Sequence, residues 1–324
     1  MNRSSVLCIG GATQDVFIRS RALEEHHDDL SPDGIAACFL MGSKMPIDEL
    51  TFATGGGATN AAVTFAHFGL KTSCICRVGE DMAGEQLVDD LAENKIDTHS
   101  LQYDKKEKTG YSVILLSGTG HRAIFTHRGA AQKLDVRAFP WHHWSKKLGG
   151  GRVADWIYLT SLGGDLKTLK DIFEHAKRSK TKIAWNPGNK ELEKGFKTLK
   201  PFIEQTDILS LNREEAEQLG GMSALGHLPH VAFLMTEGQK GATIRVGKKT
   251  WRAPALAAKR VNTTGAGDAF GSAFVAGWIK TSDAKTSLAV AMLNATGVVM
   301  HMGAKAGILK AFPNNSALKK VKIK

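Results

Sequence analysis

Asn262-Thr-Thr-Gly-Ala-Gly-Asp-Ala-Phe-Gly271 runs from a glycine turn straight into an apolar helix and places one carboxylate at the junction. Gly265 and Gly267 allow the backbone to aim several N–H groups at one point. The helix expected from Asp268 to about Lys280 adds the unpaired donors of its first turn and the positive end of its dipole. That combination holds a phosphate. Asp268 has two readings among those donors. It caps the helix, as Asp commonly does, or it accepts a proton from a substrate hydroxyl while neighbouring N–H groups stabilise a phosphoryl group in transfer. The stretch alone leaves both open.

The chain on either side sets the fold class. Short β-branched runs alternate with helical ones: Val6 to Ile9, a helix near Ala58 to Phe68, Thr72 to Val78, and a helix near Gly84 to Asn94. The alternation resumes at Trp156 to Leu159 and continues through Lys182 to Asn186 and Asp207 to Leu211 to Val231 to Met235, with helices between. One of these is a short helix near Leu192 to Leu199. Such order predicts an α/β fold with a doubly wound, mostly parallel sheet and ligands at strand C-termini. Two regions break the rhythm. Residues 15–53 contain no convincing helix, and residues 109–127 read as a hairpin turning at Gly118-Thr-Gly120. Together they predict a small discontinuous β-sheet lid on an α/β domain formed by residues 1–14, 54–108 and 128–324. A lid of that kind excludes water from phosphoryl transfer.

Composition narrows the class. Of 324 residues, 42% are hydrophobic and 23% charged, which fits a globular chain rather than a disordered one. No apolar run approaches the ~18 residues of a membrane span, and the start lacks the layout of a signal peptide, so the expectation is a cytoplasmic protein without a membrane partner. The formal charge of +11 suits attraction of anionic substrates. Its cations are spread over many helices, which points away from nucleic acid. Of the four cysteines, Cys74 and Cys76 sit on alternate strand positions and face one side. The group Trp141-His-His-Trp144 lacks metal-site spacing and reads as packing.

A second glycine site, Thr54-Gly-Gly-Gly-Ala-Thr-Asn60, also opens a helix, and Asn60 supplies a donor and an acceptor in its first turn. Asp15 follows Gly10-Gly-Ala-Thr-Gln14 just after the first strand, where a carboxylate can take two hydroxyls of a polyol. These features, in this order, resemble the ribokinase-like (PfkB) family of small-molecule kinases: Gly10 and Gly11 with Asp15, then Gly55 and Gly56 to Asn60, then Thr263 to Phe270. The resemblance implies that Asp268 is the base, that Gly265, Ala266 and Gly267 form the anion hole, and that Asp15, Gly55, Gly56 and Asn60 bind the acceptor. It also implies that Asn212 and Glu215 act near Mg²⁺ and phosphates through water, without direct protein ligands to the metal. Thr236, Gly238, Gly241 and Asn294 are then the ATP contacts.

The chain departs from ribokinase itself at three places: Gly57 replaces a lysine, Leu159-Thr-Ser-Leu-Gly-Gly164 lacks the substrate glutamate, and Asn262 replaces a frequent Asp near the monovalent-cation site. The expectation is an ATP- and Mg²⁺-dependent kinase acting on a hydroxyl of a sugar or related polyol, with an adenosine-type nucleoside kinase as the alternative. A non-catalytic nucleotide or sugar sensor is the remote alternative. The same resemblance leaves a homodimer through the lid open. Arg128, after the hairpin, either reaches an anionic substrate or leaves a strand into solvent.

Overall fold

A computed structural model describes residues 4–29, 34–38, 42–117, 121–139, 141, 154–226, 228 and 231–324. Its main sheet has eight strands in the order Lys249–Ala253, Ala242–Val246, Ala232–Thr236, Ile208–Asn212, Lys182–Trp185, Trp156–Leu159, Ser5–Ile9, Lys71–Ile75. The six from Ala232–Thr236 to Lys71–Ile75 pair in parallel, and the remaining two add an antiparallel hairpin at one edge. Val6, Leu7, Cys8 and Ile9 are all buried, as a central strand covered on both faces requires. Alternation divides them between two cores. Val6 and Cys8 join Phe65, Phe274 and Leu288 under the helices Gly57–His67, Ala266–Thr281 and Ala284–Val299. Leu7 and Ile9 join Leu159, Trp185 and Ile172 on the opposite face.

Local chemistry explains the helix that covers that opposite face. In Leu166–Ser179 the Asp165 carboxylate accepts from the Lys167 and Thr168 amides, and Leu169, Ile172, Phe173 and Ala176 form one buried stripe. Lys180, left-handed at φ 55°, ends it. Three expectations are corrected. The strand read as Thr72 to Val78 is two: Lys71–Ile75 stays in the main sheet, whereas Arg77–Gly79 pairs with Gln102–Asp104 and ties Arg77 to Asp104 at 3.0 Å. The helix read over 192–199 is broken into Asn189–Leu192 and Gly195–Ile203 because Gly195 takes φ 76°. The last correction is one of bounds: the lid strand that holds Asp15 begins at Thr13, and the Glu49–Gly55 strand runs past residue 53, so the lid takes in residues assigned to the α/β domain.

The lid is a second sheet, with strands in the order Arg122–His127, Gly110–Leu116, Thr13–Arg19, Glu49–Gly55. Its inner face, Phe17, Ile114 and Leu116 with Ala53 of its own Glu49–Gly55 strand beside them, rests on Met302 of the body. The turn at 118–120 and residues 142–144 of the tryptophan and histidine group lie outside the described residues. Trp141 itself stacks on His175, with ring centroids 3.9 Å apart. Among the described residues no helix is long and apolar enough to cross a membrane.

Candidate active site

The helix Ala266–Thr281 is capped by Gly265, left-handed at φ 80°, and no side chain caps it. Asp268 is therefore not the cap. Its carboxylate instead accepts a 2.8 Å hydrogen bond from Asn60 Nδ2, reaching across from the first turn of Gly57–His67. Burial pushes the Asp268 carboxyl up; the Asn60 amide pulls it back, and the nearby Asp15 carboxylate adds to the rise. A carboxylate so placed is a stronger base than an exposed one. Gly267 faces open space, whereas a Cβ on Gly265 would lie 2.5 Å from that of Ala304. Within the expected anion hole, the Ala266 amide is turned back onto the Thr263 carbonyl at 3.2 Å. This leaves the first-turn amides next to it, Gly267 foremost, for an anion.

Three cavities meet at this point. The largest, about 390 Å³, is lined by Thr236, Gly238 and Gly241 on one wall and by Leu256, Phe270, Met292 and Val299 on the other. A second, about 160 Å³, shares Thr236 and Gly267 with it and adds Asn212, Glu215, Gly265 and Asp268. A third, about 270 Å³, shares Asn186, Glu215 and Asp268 with the second and continues to Gly11, Gly56, Thr13 and Thr160. An elongated anionic molecule can lie from the first into the second, with its end against Asp268 and a small polar molecule beyond.

Asn212 and Glu215 form a reciprocal cap at the start of Arg213–Gln218: Asn212 Oδ1 accepts from the Glu215 amide at 2.9 Å, and Glu215 Oε2 accepts from the Asn212 amide at 2.8 Å. The helix-start reading and the site reading of this pair are both satisfied. Burial raises the Glu215 carboxyl, the Asn212 amide lowers it, and Asp268 and Glu214 raise it further. Gly241 is demanded by the fold, since at φ 99° a Cβ would fall 2.0 Å from the Ala253 carbonyl oxygen. Asn262 Oδ1 accepts from both the amide and the hydroxyl of Thr264 at 3.0 Å, which fixes the loop entering the helix. Arg122 of the lid hydrogen-bonds the Thr263 hydroxyl in the same loop.

Four assigned residues sit elsewhere than expected. Asn294 does not line the nucleotide-sized cavity; it is fully buried, donating to the Ala269 carbonyl at 3.0 Å and accepting from the Leu309 amide at 3.0 Å. The pocket wall there consists of its helix neighbours Met292, Ala295 and Thr296. Asn60 holds the Asp268 carboxylate rather than lining the third cavity, and its Oδ1 is buried without a partner among the described residues. Asp15 and Gly55 pack against each other behind the wall, and it is Thr13, donating to Asp15 Oδ1 at 3.0 Å, that faces the cavity. Burial raises the Asp15 carboxyl, against the Thr13 and Ser112 hydroxyls and Lys305, which lower it. Gly56, at φ 97°, lies against the Gly11 carbonyl and does line the cavity, as expected.

Sequence reasoning missed Glu191. Its buried carboxylate accepts from the Leu162 and Gly164 amides at 2.7 and 2.8 Å, and from the Ser161 hydroxyl and Gly188 amide at 3.0 Å. These donors belong to the loops after Trp156–Leu159 and Lys182–Trp185, and Ser161, Gly163 and Gly188 line the acceptor cavity. A glutamate thus governs the loop where the sequence shows none. Asn186, at the next strand end, was also missed, although the rule that ligands gather at strand C-termini points to it.

Comparison with known proteins gives the family and the fold. The family model for pfkB family carbohydrate kinases matches residues 32–311. A probable fructokinase-5 of Arabidopsis thaliana is 23% identical over 288 residues, covering 83% of this chain and 88% of the relative. The ribokinase of Lactococcus lactis is 25% identical over 282 residues, covering 85% and 89%. Among solved structures, the nucleoside kinase of Methanocaldococcus jannaschii superposes with a TM-score of 0.75 at 21% identity, covering 99% of this chain and all of that one, a likeness of fold.

Proposed function

This chain belongs to the pfkB family of carbohydrate kinases, and from that premise we propose that it moves the γ-phosphoryl group of ATP onto a hydroxyl of a sugar seated between Asp268 and Thr160. The observation that carries this reading is the single line of three cavities, the first joined to the second at Thr236 and Gly267 and the second joined to the third at Asp268. Adenine and ribose lie against Phe270, Met292 and the Thr236 to Gly241 turn, and the triphosphate runs past the Gly267 amide. Asp268 takes the hydroxyl proton as the new O–P bond forms. The bond from the γ-phosphorus to its bridging oxygen breaks, and the electron pair leaves with ADP. Positioning and the helix-start field do most of the work.

The donor set around the middle cavity suits Mg²⁺. Glu215 and Asn212 offer oxygen atoms, and Mg²⁺ characteristically keeps several waters and takes few protein ligands. When bound, the ion neutralises charge on the phosphates. Glu215 and Asn212, locked together by their reciprocal cap, are the residues that would hold it, through water. Asn60 keeps the Asp268 carboxylate aimed, and Asp15 contributes by raising that carboxyl and by orienting Thr13. A sugar is favoured over a nucleoside because, among the described residues, no aromatic ring lines the acceptor cavity to give a base a stacking surface. Asp268→Asn, which preserves shape and the Asn60 contact, should abolish ADP release while ATP binding persists; near-normal turnover would overturn the assignment.

The lid offers a face for a second copy of the chain. Phe125, Val113, Val16 and Phe52 stand in one register row across all four strands, followed by Ala123, Leu115, Ile18 and Leu50. Phe125 and Phe52 remain 59% and 60% exposed, an apolar expanse that pairing of two lids would cover. Light scattering should find a dimer that Phe52→Asp converts to monomer; a monomeric wild type ends the idea.

A further inference from the structure

The acceptor cavity is electrically lopsided. Its two carboxylates, Asp268 and Glu215, lie on the part of the wall shared with the middle cavity. Thr126, Arg128, Ala131 and Gln132 line only the acceptor cavity, so Arg128 stands away from the point of transfer. Two nearby cations are matched: Arg77 pairs with Asp104 at 3.0 Å and Lys133 with Glu107 at 2.7 Å. Arg128 has no ion pair or side-chain hydrogen bond among the described residues, although it borders a cavity deep enough to hold a small molecule.

Its backbone is fixed. Gly129 takes φ 50° so close to the Lys108 carbonyl that a Cβ would fall 2.1 Å from the oxygen, and the Ala130 amide donates to that oxygen at 2.8 Å. The guanidinium therefore hangs from a set point at the end of the lid strand. Around it are hydroxyls and an amide, from Thr13, Thr126, Thr160, Ser161 and Gln132. A neutral polyol satisfies those groups and leaves the guanidinium unmatched. An anionic group on the far end of the acceptor satisfies both, and it cannot bind the other way round, because there it would meet two carboxylates.

We propose that the acceptor is a phosphorylated sugar, with Arg128 gripping its existing phosphate while the free hydroxyl at the other end meets Asp268. This rests on the acceptor-site reading above. Arg128 takes part in no bond change; it selects and orients. The net charge of +11 favours the approach of such a substrate.

The test compares fructose 6-phosphate and ribose 1-phosphate with fructose and ribose, by calorimetric binding and by ADP release, on the full chain and on Arg128→Gln and Arg128→Lys. The wild type should bind at least one phosphorylated sugar about 10- to 100-fold more tightly than its neutral counterpart. Arg128→Gln should erase most of that difference with KM for ATP unchanged within about twofold, and Arg128→Lys should keep part of it. The thermal midpoint should stay put, since the side chain is exposed. Neutral sugars bound as well as phosphorylated ones, or no binding of either phosphorylated sugar, overturns the proposal. So does a rise in KM for ATP, which would assign Arg128 to the nucleotide. Failure of the acceptor-site reading looks different: turnover would then survive Asp268→Asn, whichever sugar is phosphorylated.

Discussion

Gly265 and Gly267 are separated by one residue, yet alanine at the two positions should have opposite effects on stability. At Gly267 the backbone is ordinary and an added Cβ meets nothing within 4 Å. Alanine there removes chain entropy from the unfolded state and should stabilise by about 0.5–1 kcal/mol. The methyl, however, would project where phosphate must approach the amide. Losing one such donor typically costs about 10²- to 10³-fold in kcat. At Gly265 the φ of 80° costs alanine about 1–2 kcal/mol. The added Cβ also falls 2.5 Å from the Ala304 Cβ and 2.7 Å from its Cα. Because one of those contacts is backbone, relief requires the 303–305 segment to shift, a further cost of about 1–3 kcal/mol. Gly265→Ala should therefore lose about 2–5 kcal/mol in urea unfolding, while Gly267→Ala holds or gains stability and loses turnover in a coupled ADP-release assay. Wild-type turnover by Gly267→Ala, or a stability loss parallel to that of Gly265→Ala, would refute the assignment of this turn to the phosphoryl group.

Asp268→Asn should be more stable than the wild type in a pH-dependent way. The unfolded chain titrates Asp268 near 3.8, and burial raises the folded value, so between the two the native state binds the extra proton. Stability contributed by the wild-type group thus falls as pH rises through the folded pKa, and the neutral variant escapes that loss. The variant's advantage, about 0.5–2 kcal/mol at pH 8 on the usual scale of activity–stability trade-offs, should shrink toward zero as pH falls to about 4; a gap independent of pH in urea melts would break the attribution. Glu191→Gln, which keeps an acceptor for part of the donor set, should raise KM for the acceptor about tenfold while kcat and KM for ATP stay close to wild type, as expected when one charged hydrogen-bonding group is lost from a positioning network. Unfolding at lower temperature without any change in KM would make Glu191 merely structural.

The sheet was legible because its strands are short, apolar and buried on both faces, a pattern that alternation with helices makes hard to mistake. The buried carboxylate of Asp268 and its glycine turn were legible for a different reason: few chemistries need φ > 0 and a carboxylate at one helix start. Asn294 misled because position along a helix does not fix direction. Its amide turned inward to satisfy the Ala269 carbonyl and the Leu309 amide, and a backbone amide 15 residues away leaves no local signal. Glu191 escaped for the same reason. Its partners, Leu162 and Gly164, come from another strand end, and only the folded sheet brings the two loops together.

Asp15, Glu215 and Asp268 share one electrostatic condition. Burial is the first cause of the rise in each, and two of them, Asp15 and Glu215, also face Asp268. Lys305, the cation that lowers Asp15, is already committed to Asp90 at 2.6 Å and to the Thr54 hydroxyl at 2.8 Å. The native fold therefore concentrates negative charge where it is least solvated and, among the described residues, supplies no matching buried cation at Asp268. Such an arrangement opposes folding, and the proposed function gives each carboxylate an external partner: an acceptor hydroxyl for Asp268, the hydrated metal for Glu215, and, through Thr13, the acceptor again for Asp15. The same charge would repel a triphosphate that arrived without its metal, so binding order and catalysis draw on one feature. On that proposal the helix-start amides would attract the phosphates, and the carboxylates would admit them only when neutralised.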